Sequence, residues 1–302
     1  MSWIGIDIGG TYIKSCFIDE KGNIKNEHNE PTPKDLKSLQ RKISEIYLIH
    51  SKIKKPLGVG IGIAGFIDMR EWVLRRSPNM RFLDGINLMD FFKEAIDIPF
   101  TIDNDANMAA WGEYRKGAGI GVKNMVHITL GTGVGSGIII EGNLFHGSSG
   151  FGAEFGHTVV NPDGLPCNCG GRGCVETEAS ASKIVRNYLK LTGKNEDITS
   201  EDVYKLAKKG DTNAVEAFRI AGYYLGIGLS NLINLLNPEI IVLGGGVISA
   251  GDFIMKPVME EIEKRAIRFS LENVKIVPAL LGNKAGMLGS ALWAMENLIE
   301  KI

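Results

Sequence analysis

The chain opens with Trp3-Ile4-Gly5-Ile6-Asp7-Ile8-Gly9-Gly10-Thr11, in which an apolar run leads into a turn of small residues. The run predicts a buried strand, and a second strand is predicted over residues 12–18. The same order of elements returns later in the chain, where residues 126–130 read as a strand and Gly131-Thr132-Gly133 as its turn. This repeat of strand, turn and strand predicts two similar α/β halves.

Hydrophobic periodicity and turn signals predict the other elements of the two halves. Because no low-complexity linker is present, we expect the halves to meet in a cleft, with the last helix packing back on the first half. The predicted domains are residues 1–115, completed by residues 284–302, and residues 116–283. Further strands are predicted from residue 24 and over 57–63, 100–102, 134–141, 240–243 and 274–277, and helices over 36–53, 106–116, 179–191, 200–209, 213–236 and 284–302.

The composition is that of an ordinary globular protein and excludes several classes. The 302 residues are 44% hydrophobic and 23% charged, with a net charge of -1, which argues against disorder, collagen and a basic nucleic-acid-binding surface. No run approaches the roughly 20 apolar residues of a membrane span. The N-terminal residues lack the basic segment of a secretory signal, and four cysteines do not form a secreted disulfide framework. We therefore expect a cytoplasmic protein.

Glycine-rich turns are candidates for binding the phosphates of a nucleotide. Small residues let backbone N–H groups converge on phosphate oxygens, and Asp7 could hold Mg²⁺ beside them. Taken singly, each of the turns at Gly9 and Gly131 is more typical of an ordinary hairpin, but their equivalent positions in the repeat favour a phosphate clamp. Gly244-Gly245-Gly246 follows a buried strand and indicates either close approach of the nucleoside or a tight strand-to-helix turn.

A fingerprint-like run, Gly60-Ile61-Gly62-Ile63-Ala64-Gly65, lies within a predicted strand. The dinucleotide motif follows a strand and opens a helix, whereas no amphipathic helix follows Gly65. We therefore interpret these glycines as sites of close backbone packing or of ligand approach to the strand end. No Walker motif is present.

Carboxylates and amides alternate in Thr101-Ile102-Asp103-Asn104-Asp105-Ala106-Asn107, where a strand ends and a helix begins. This edge is where α/β sheets bind ligands. A kinase needs a carboxylate that accepts the proton of the attacking hydroxyl, and amides that fix that hydroxyl. Helix capping by Asp103 or Asp105 explains the same residue types equally well.

The most specific local pattern is His157, Cys167, Cys169 and Cys174. One imidazole and three thiolates form a tetrahedral zinc set, and the glycines between them permit a tight wrap. Because protein side chains fill all four positions, the zinc would be structural. The alternative is three free thiols in a flexible loop. Cys16, in the second strand, is expected to be a core residue.

Together these segments resemble the ROK family of sugar kinases, within the actin-like sugar kinase, hexokinase and heat-shock ATPase superfamily. The resemblance covers essentially the whole chain. It implies two α/β domains of the actin-like (ribonuclease H-like) ATPase type with a ligand cleft between them, and a homodimer is common in the family. The matching stretches are residues 5–11, Asp103-Asn104-Asp105-Ala106-Asn107, Gly131-Thr132-Gly133-Val134-Gly135-Ser136-Gly137, Gly152-Ala153-Glu154-Phe155-Gly156-His157 and Cys167-Asn168-Cys169-Gly170-Gly171-Arg172-Gly173-Cys174-Val175-Glu176.

The resemblance also implies roles for individual residues. Asp105 is similar to the catalytic base, Asp7 to the Mg²⁺-associated carboxylate, and zinc is implied at His157, Cys167, Cys169 and Cys174. Many members carry Lys directly after the Gly-Gly-Thr turn, whereas this chain has Tyr12, with Lys14 two positions on. The implied sugar contacts are Gly65, Asn79, Asn104, Asp105, Glu154, His157 and Glu176, and the implied ATP contacts are Asp7, Gly9, Gly10, Thr11, Lys14, Gly131, Thr132, Gly133, Gly135, Gly244, Gly245 and Gly246.

The expected function is ATP-dependent phosphorylation of a hexose, with glucose at its 6-position as the first candidate. Fructose, mannose, N-acetylglucosamine and N-acetylmannosamine are the alternatives, because pocket shape separates them and the sequence does not reveal it. A sugar-responsive regulator is a remote alternative. Regulators of this family carry an N-terminal helix-turn-helix, whereas the segment of the first phosphate turn already begins at Gly5 in this sequence, so we expect no such domain before it. We also expect no nucleic-acid or membrane partner.

Overall fold

The computed structural model describes residues 1–298, which form twelve strands and ten α-helices. No helix within this described part combines the length and apolar character needed to cross a membrane. The last four residues of the helix predicted over 284–302, residues 299–302, lie outside the described residues. The strands are β1 (Ser2–Ile8), β2 (Tyr12–Asp19), β3 (Ile24–Pro31), β4 (Gly58–Ile63), β5 (Phe66–Asp68), β6 (Val73–Arg76), β7 (Phe100–Asn104), β8 (Met125–Leu130), β9 (Val134–Ile140), β10 (Asn143–Leu144), β11 (Ile240–Gly244) and β12 (Lys275–Pro278). The helices are α1 (Leu36–Ser51), α2 (Leu88–Lys93), α3 (Asp105–Lys116), α4 (Val175–Ala179), α5 (Ala181–Thr192), α6 (Ser200–Lys208), α7 (Thr212–Leu236), α8 (Asp252–Arg265), α9 (Arg268–Leu271) and α10 (Ala285–Leu298).

Two five-stranded sheets repeat one topology. The first has the order β3-β2-β1-β4-β7 and the second the order β10-β9-β8-β11-β12. In the first, β1 runs antiparallel to β2 and parallel to β4, which is parallel to β7. In the second, β8 is parallel to β11, and β11 to β12. The repeated order of strands is the structural counterpart of the repeat in the sequence.

Helix α10 packs directly on the first sheet because glycines remove the side chains between them. A Cβ placed on Gly5 of β1 would overlap the carbonyl oxygen of Met287, and one on Gly60 of β4 would overlap that of Ser290. The backbones of strand and helix therefore meet at a distance that only glycine allows. The fingerprint-like run is thus a packing surface, as the sequence interpretation expected.

Two compact units divide the chain. The first contains residues 1–123, 137–153 and 280–302, and the second contains residues 124–136 and 154–279. Residues 137–153 therefore group with the first unit, whereas the sequence analysis assigned them to the second domain. The predicted domain boundaries themselves stay a prediction.

Several elements differ from the sequence prediction. Residues 66–76 form the β5–β6 hairpin, which was not predicted, and the short strand β10 and helices α2, α8 and α9 were also missed. The predicted helix over residues 179–191 corresponds to α5, which begins after Ser180, a residue in an extended conformation; the short helix α4 before it was not predicted. The short strands and the proline inside α8 (Pro257) carry little periodic signal, which accounts for these misses.

Candidate functional site

The first predicted phosphate turn is a tight reversal between β1 and β2. The backbone N–H of Gly9 donates to the carbonyl of Tyr12 across 3.0 Å. Two side chains from the segment after β3 support the turn: the Thr32 hydroxyl donates to the Gly9 carbonyl (2.7 Å) and the Lys34 ammonium to the Gly10 carbonyl (2.8 Å). Side chains outside the turn therefore stabilise its conformation. Lys34 brings to it a positive charge that sequence reasoning did not single out.

Asp7 lies at the end of β1 beside this turn, and its cross-strand neighbour in β2 is Lys14. Burial raises the pKa of the Asp7 carboxyl to about 7, the negative charge of Asp105 adds to the rise, and Lys14 opposes it. The two predicted functional carboxylates thus lie close enough to influence each other's ionisation. Such a pair is suited to hold a divalent cation or to share a proton.

Asp105 is the first residue of α3, and Asn104 is the N-cap of that helix. The side-chain oxygen of Asn104 accepts from the backbone N–H groups of Ala106 (2.8 Å) and Asn107 (3.2 Å). Asn104, which lies between Asp103 and Asp105, is therefore the N-cap residue of this helix, although the Asp105 carboxylate also accepts from the Ala106 N–H. Burial raises the pKa of Asp105, although its hydrogen bond from the Ala106 N–H opposes the rise. A carboxylate with a raised pKa is a better proton acceptor than an ordinary aspartate.

Three predicted sugar-contact residues surround this edge of the first sheet. The Asn104 amide nitrogen donates to the Gly65 carbonyl across 3.1 Å, which ties the end of β7 to the end of β4. A Cβ on Gly10 would overlap the Asn79 side chain, so Asn79 lies directly against the predicted phosphate turn. The first unit thus brings together Gly65, Asn79, Asn104, Asp7 and the turn.

The second predicted phosphate turn, in the second unit, lies against the predicted sugar contact Glu176. One carboxylate oxygen of Glu176 accepts from the Val134 N–H at 3.1 Å, and a Cβ on Gly133 would overlap that oxygen. The turn is closed by the Gly131 N–H, which donates to the Gly133 carbonyl (2.9 Å). Glu176 lies in the first turn of α4, a short helix that the sequence analysis did not predict.

The four predicted zinc ligands converge in the second unit. Their ligand atoms all lie within 4.8 Å of one another. Cys169 and Cys174 have sulfurs 3.7 Å apart, and Cys167 Sγ lies 3.6 Å from His157 Nδ1. A tetrahedral ion with Zn–S bonds of ~2.3 Å separates its sulfurs by about 3.8 Å, so the spacing fits this metal. The donor set fits zinc as well.

Both neighbouring glutamates contact the cluster. His157 turns Nδ1 towards Cys167 and Nε2 towards Glu154, whose carboxylate lies 4.0 Å away. The second carboxylate oxygen of Glu176 lies 3.9 Å from Cys167 Sγ. His157 was predicted both as a metal ligand and as a sugar contact, and its two ring nitrogens allow the two tasks to be divided.

Gly246, the last of the three glycines at the end of β11, borders a groove of about 580 Å³ in the second unit. Gly246 and the turn that follows form one wall, and α6 with its N-cap Thr199 forms the other. Gly245 adopts a positive φ of 88°, and a Cβ there would overlap the Leu130 backbone. Sequence reasoning predicted these glycines as a binding surface and the helix over residues 200–209, but it did not predict that α6 lines the same groove as Gly246. The lining residues are Thr199, Ser200, Glu201, Tyr204, Lys205, Lys208, Phe218, Gly246, Val247, Ser249 and Ala250.

Comparison with known proteins identifies relatives over the full length of the chain. The model of the ROK family matches residues 3–297. A glucokinase of Halalkalibacterium halodurans is 40% identical, over 99% of this chain and 97% of its own. A xylose repressor of Bacillus spizizenii is 30% identical, over 98% of this chain and 78% of its own. The crystal structure of a ROK family glucokinase from Streptomyces griseus, in complex with glucose and AMPPNP, superposes with a TM-score of 0.84 at 35% identity, covering 98% of this chain and all of that one. The predicted α/β fold class is confirmed by the two sheets and by this likeness.

Proposed function

Since the chain belongs to the ROK family, we propose that it is a kinase that transfers the γ-phosphoryl group of ATP to the 6-hydroxyl of glucose. The observation that carries the proposal is the sheet edge at which β1 and β7 end. This edge sets the half-buried Asp105 carboxylate near Asp7 and the predicted phosphate turn. A phosphoryl transfer needs these two components, a proton acceptor and a binding site for phosphates, next to each other.

In this proposal Asp105 is the general base. Its carboxylate accepts the proton of the glucose 6-hydroxyl while that oxygen attacks the γ-phosphorus and ADP leaves. The raised pKa of Asp105 favours acceptance of the proton. Asn104 keeps the base in position because its side-chain oxygen accepts from the Ala106 N–H at the start of α3, while its side-chain nitrogen donates to the Gly65 carbonyl. Gly65, Asn79 and Asn104 are proposed sugar contacts.

The ATP phosphates are proposed to bind at the turns that contain Gly9, Gly10, Thr11 and the equivalent Gly131, Thr132, Gly133 and Gly135. Asp7 would hold Mg²⁺, which supplies charge neutralisation on the phosphates when it is bound. Lys14 faces Asp7 across the strand pair, and Lys34 sits on the Gly10 carbonyl. The groove beside Gly244, Gly245 and Gly246 is the proposed nucleoside site, since an aromatic ring and two lysines line it: Tyr204, Lys205 and Lys208.

Glu154, His157 and Glu176 are the proposed sugar contacts of the second unit. A zinc ion held by His157, Cys167, Cys169 and Cys174 would be structural, because it has no open coordination position. Its proposed role is to fix the two glutamates, each of which lies within 4.0 Å of a ligand side chain. A cytoplasmic location and a homodimer also stay predictions.

A coupled assay of ADP release across glucose, fructose, mannose, N-acetylglucosamine and N-acetylmannosamine tests the proposal. We expect glucose to give the highest kcat/KM. A higher value for another hexose would transfer the proposal to that sugar. The absence of turnover with every hexose would contradict the kinase function and favour a regulator, the class that the xylose repressor represents.

A further inference from the structure

A buried carboxylate that the proposed reaction does not use lies two residues before the proposed base. Asp103 is 1% exposed and uses both oxygens. Oδ1 accepts from the backbone N–H of Asn104 (2.7 Å) and from the side-chain amide of Asn107 (2.9 Å). Oδ2 lies 2.7 Å from Nε2 of His146. Such a group is costly to bury, and it is kept only where every polar contact is made.

The contacts of Asp103 enclose Asp105. Asp103 ends β7 together with Asn104, whereas Asn107 belongs to the first turn of α3. A carboxylate that binds Asn104 on one side and Asn107 on the other therefore fixes the angle between strand and helix. Asp105 lies between these two anchors in the sequence, so its backbone is fixed on both sides.

His146 supplies the third anchor, from the segment that follows β10. Its ring packs edge-on against Trp293 of α10 (6.2 Å between centroids), and Trp293 in turn packs against Trp111 of α3 (4.9 Å). Two residues further along, the Ser148 carbonyl accepts from the Arg70 guanidinium, at 3.2 Å for the nearer nitrogen. The ring is therefore fixed before it contacts Asp103, and the hydrogen bond is preorganised.

Charge reinforces the pair. Burial disfavours the imidazolium form of His146, but the hydrogen bond and the charge of Asp103 outweigh burial, and the pKa of His146 lies above its ordinary value. A partly charged donor makes a stronger hydrogen bond to a carboxylate than a neutral one does. Either form of the ring with a proton on Nε2 keeps the contact.

We propose that His146 is a positioning residue of the kinase reaction, which acts through Asp103 to hold the start of α3 and so to aim the Asp105 carboxylate at the sugar hydroxyl. The inference rests on the proposed function, in which Asp105 is the base. Because a displaced base weakens the transition state more than it weakens ground-state binding of the sugar, the expected signature is a loss of kcat with little change in glucose affinity.

The test compares His146→Ala with His146→Gln, whose side-chain amide retains an N–H donor. We expect His146→Ala to lower kcat roughly 10- to 100-fold, the size of effect that a misplaced catalytic group produces. Glucose affinity, measured by intrinsic fluorescence, should stay within about threefold of wild type, and His146→Gln should recover most of kcat. Phe145→Ala, an exposed neighbour in the same segment, is the control and should behave as wild type.

A double-mutant cycle with Asp103→Asn separates this role from general stability. If His146 acts through Asp103, the double variant loses little more kcat than the poorer single variant, whereas independent roles give additive losses. Thermal melting of every variant identifies loss of activity through unfolding. Full kcat in His146→Ala, a loss of kcat that follows the fraction unfolded, or no recovery in His146→Gln would overturn the inference. If the wild type turns over no hexose, the proposed function fails first, and this inference fails with it.

Discussion

We expect the replacement of Asp105 by asparagine to lower the activity of the protein and to raise its thermal stability. The substitution keeps the shape of the side chain. In the wild type, Oδ1 of Asp105 accepts from the Ala106 N–H across 2.9 Å, and the amide oxygen of the asparagine can accept the same hydrogen bond. The substitution removes the proton acceptor. General-base catalysis contributes about 10²- to 10⁴-fold, so we expect kcat to fall by that factor, which is about 3 to 5 kcal/mol of transition-state stabilisation.

The raised pKa of Asp105 fixes the sign of the change in stability. Burial raises the folded-state pKa of this carboxyl above its unfolded value, so at neutral pH the folded state holds a charge that it disfavours. The cost is absent below the unfolded pKa and grows as the pH rises towards the folded pKa. The neutral amide avoids this cost. We therefore expect Asp105→Asn to raise the melting temperature at pH 7 and to have little effect at pH 3.

A coupled assay of ADP release and thermal melting measure the two effects, and intrinsic fluorescence from Trp111 on the same helix measures glucose binding. Asp90→Asn is the matched control, because Asp90 is an exposed aspartate in the first turn of α2. The control should change neither kcat nor the melting temperature. A kcat within tenfold of wild type would remove Asp105 from the role of base, and a lower melting temperature at pH 7 would contradict the argument from burial.

Three further predictions concern the metal cluster, the core and the response to acid. Cys169→Ser should lose bound zinc and raise the KM for glucose; metal analysis and kinetics check this, and a zinc-free wild type would refute it. Gly60→Ala should destabilise the first unit by about 1–3 kcal/mol or more, because the new methyl group overlaps the Ser290 carbonyl of α10; denaturant unfolding measures it, and an unchanged midpoint would contradict the packing argument. Burial lowers the pKa of His50 to about 4, so stability should decline by up to about 3 kcal/mol as the pH falls from about 6.5 to 4, where only the unfolded state takes the proton. Unfolding at a series of pH values measures this decline, and the decline should be smaller in His50→Gln. A decline of the same size in that variant would show that His50 is not its cause.

Local signals predicted much of the fold. The apolar strand with its turn at Gly9 and the periodic helix that buries Leu39, Ile43 and Ile46 depend on neighbours in sequence, and both were found. The β5–β6 hairpin was missed because strands of three and four residues carry almost no periodicity, and tertiary contacts define them. The glycine pattern predicted close packing at Gly60, but it did not predict that helix α10 packs there, because α10 lies more than 200 residues further along the chain.

The candidate site was predicted by residue type more than by role. Asp103, Asn104 and Asp105 were recognised as a functional run, yet only the structure assigns the cap to Asn104. His146 carried no signal in the sequence, because a single histidine after a short strand is unremarkable until its ring is found against a buried carboxylate. Roles of this kind depend on contacts between residues far apart in sequence.

Glu176 is the residue at which the predicted sites of the second unit join. One of its oxygens accepts from the Val134 N–H in the predicted phosphate turn, and the other lies 3.9 Å from Sγ of Cys167 in the predicted zinc cluster. Glu176 therefore lies between the predicted phosphate turn and one of the predicted zinc ligands. A structural metal that fixed Cys167 would limit the space in which Glu176 can move away from the predicted phosphate turn, and because Glu176 lies in α4, this one short helix connects the two predicted sites.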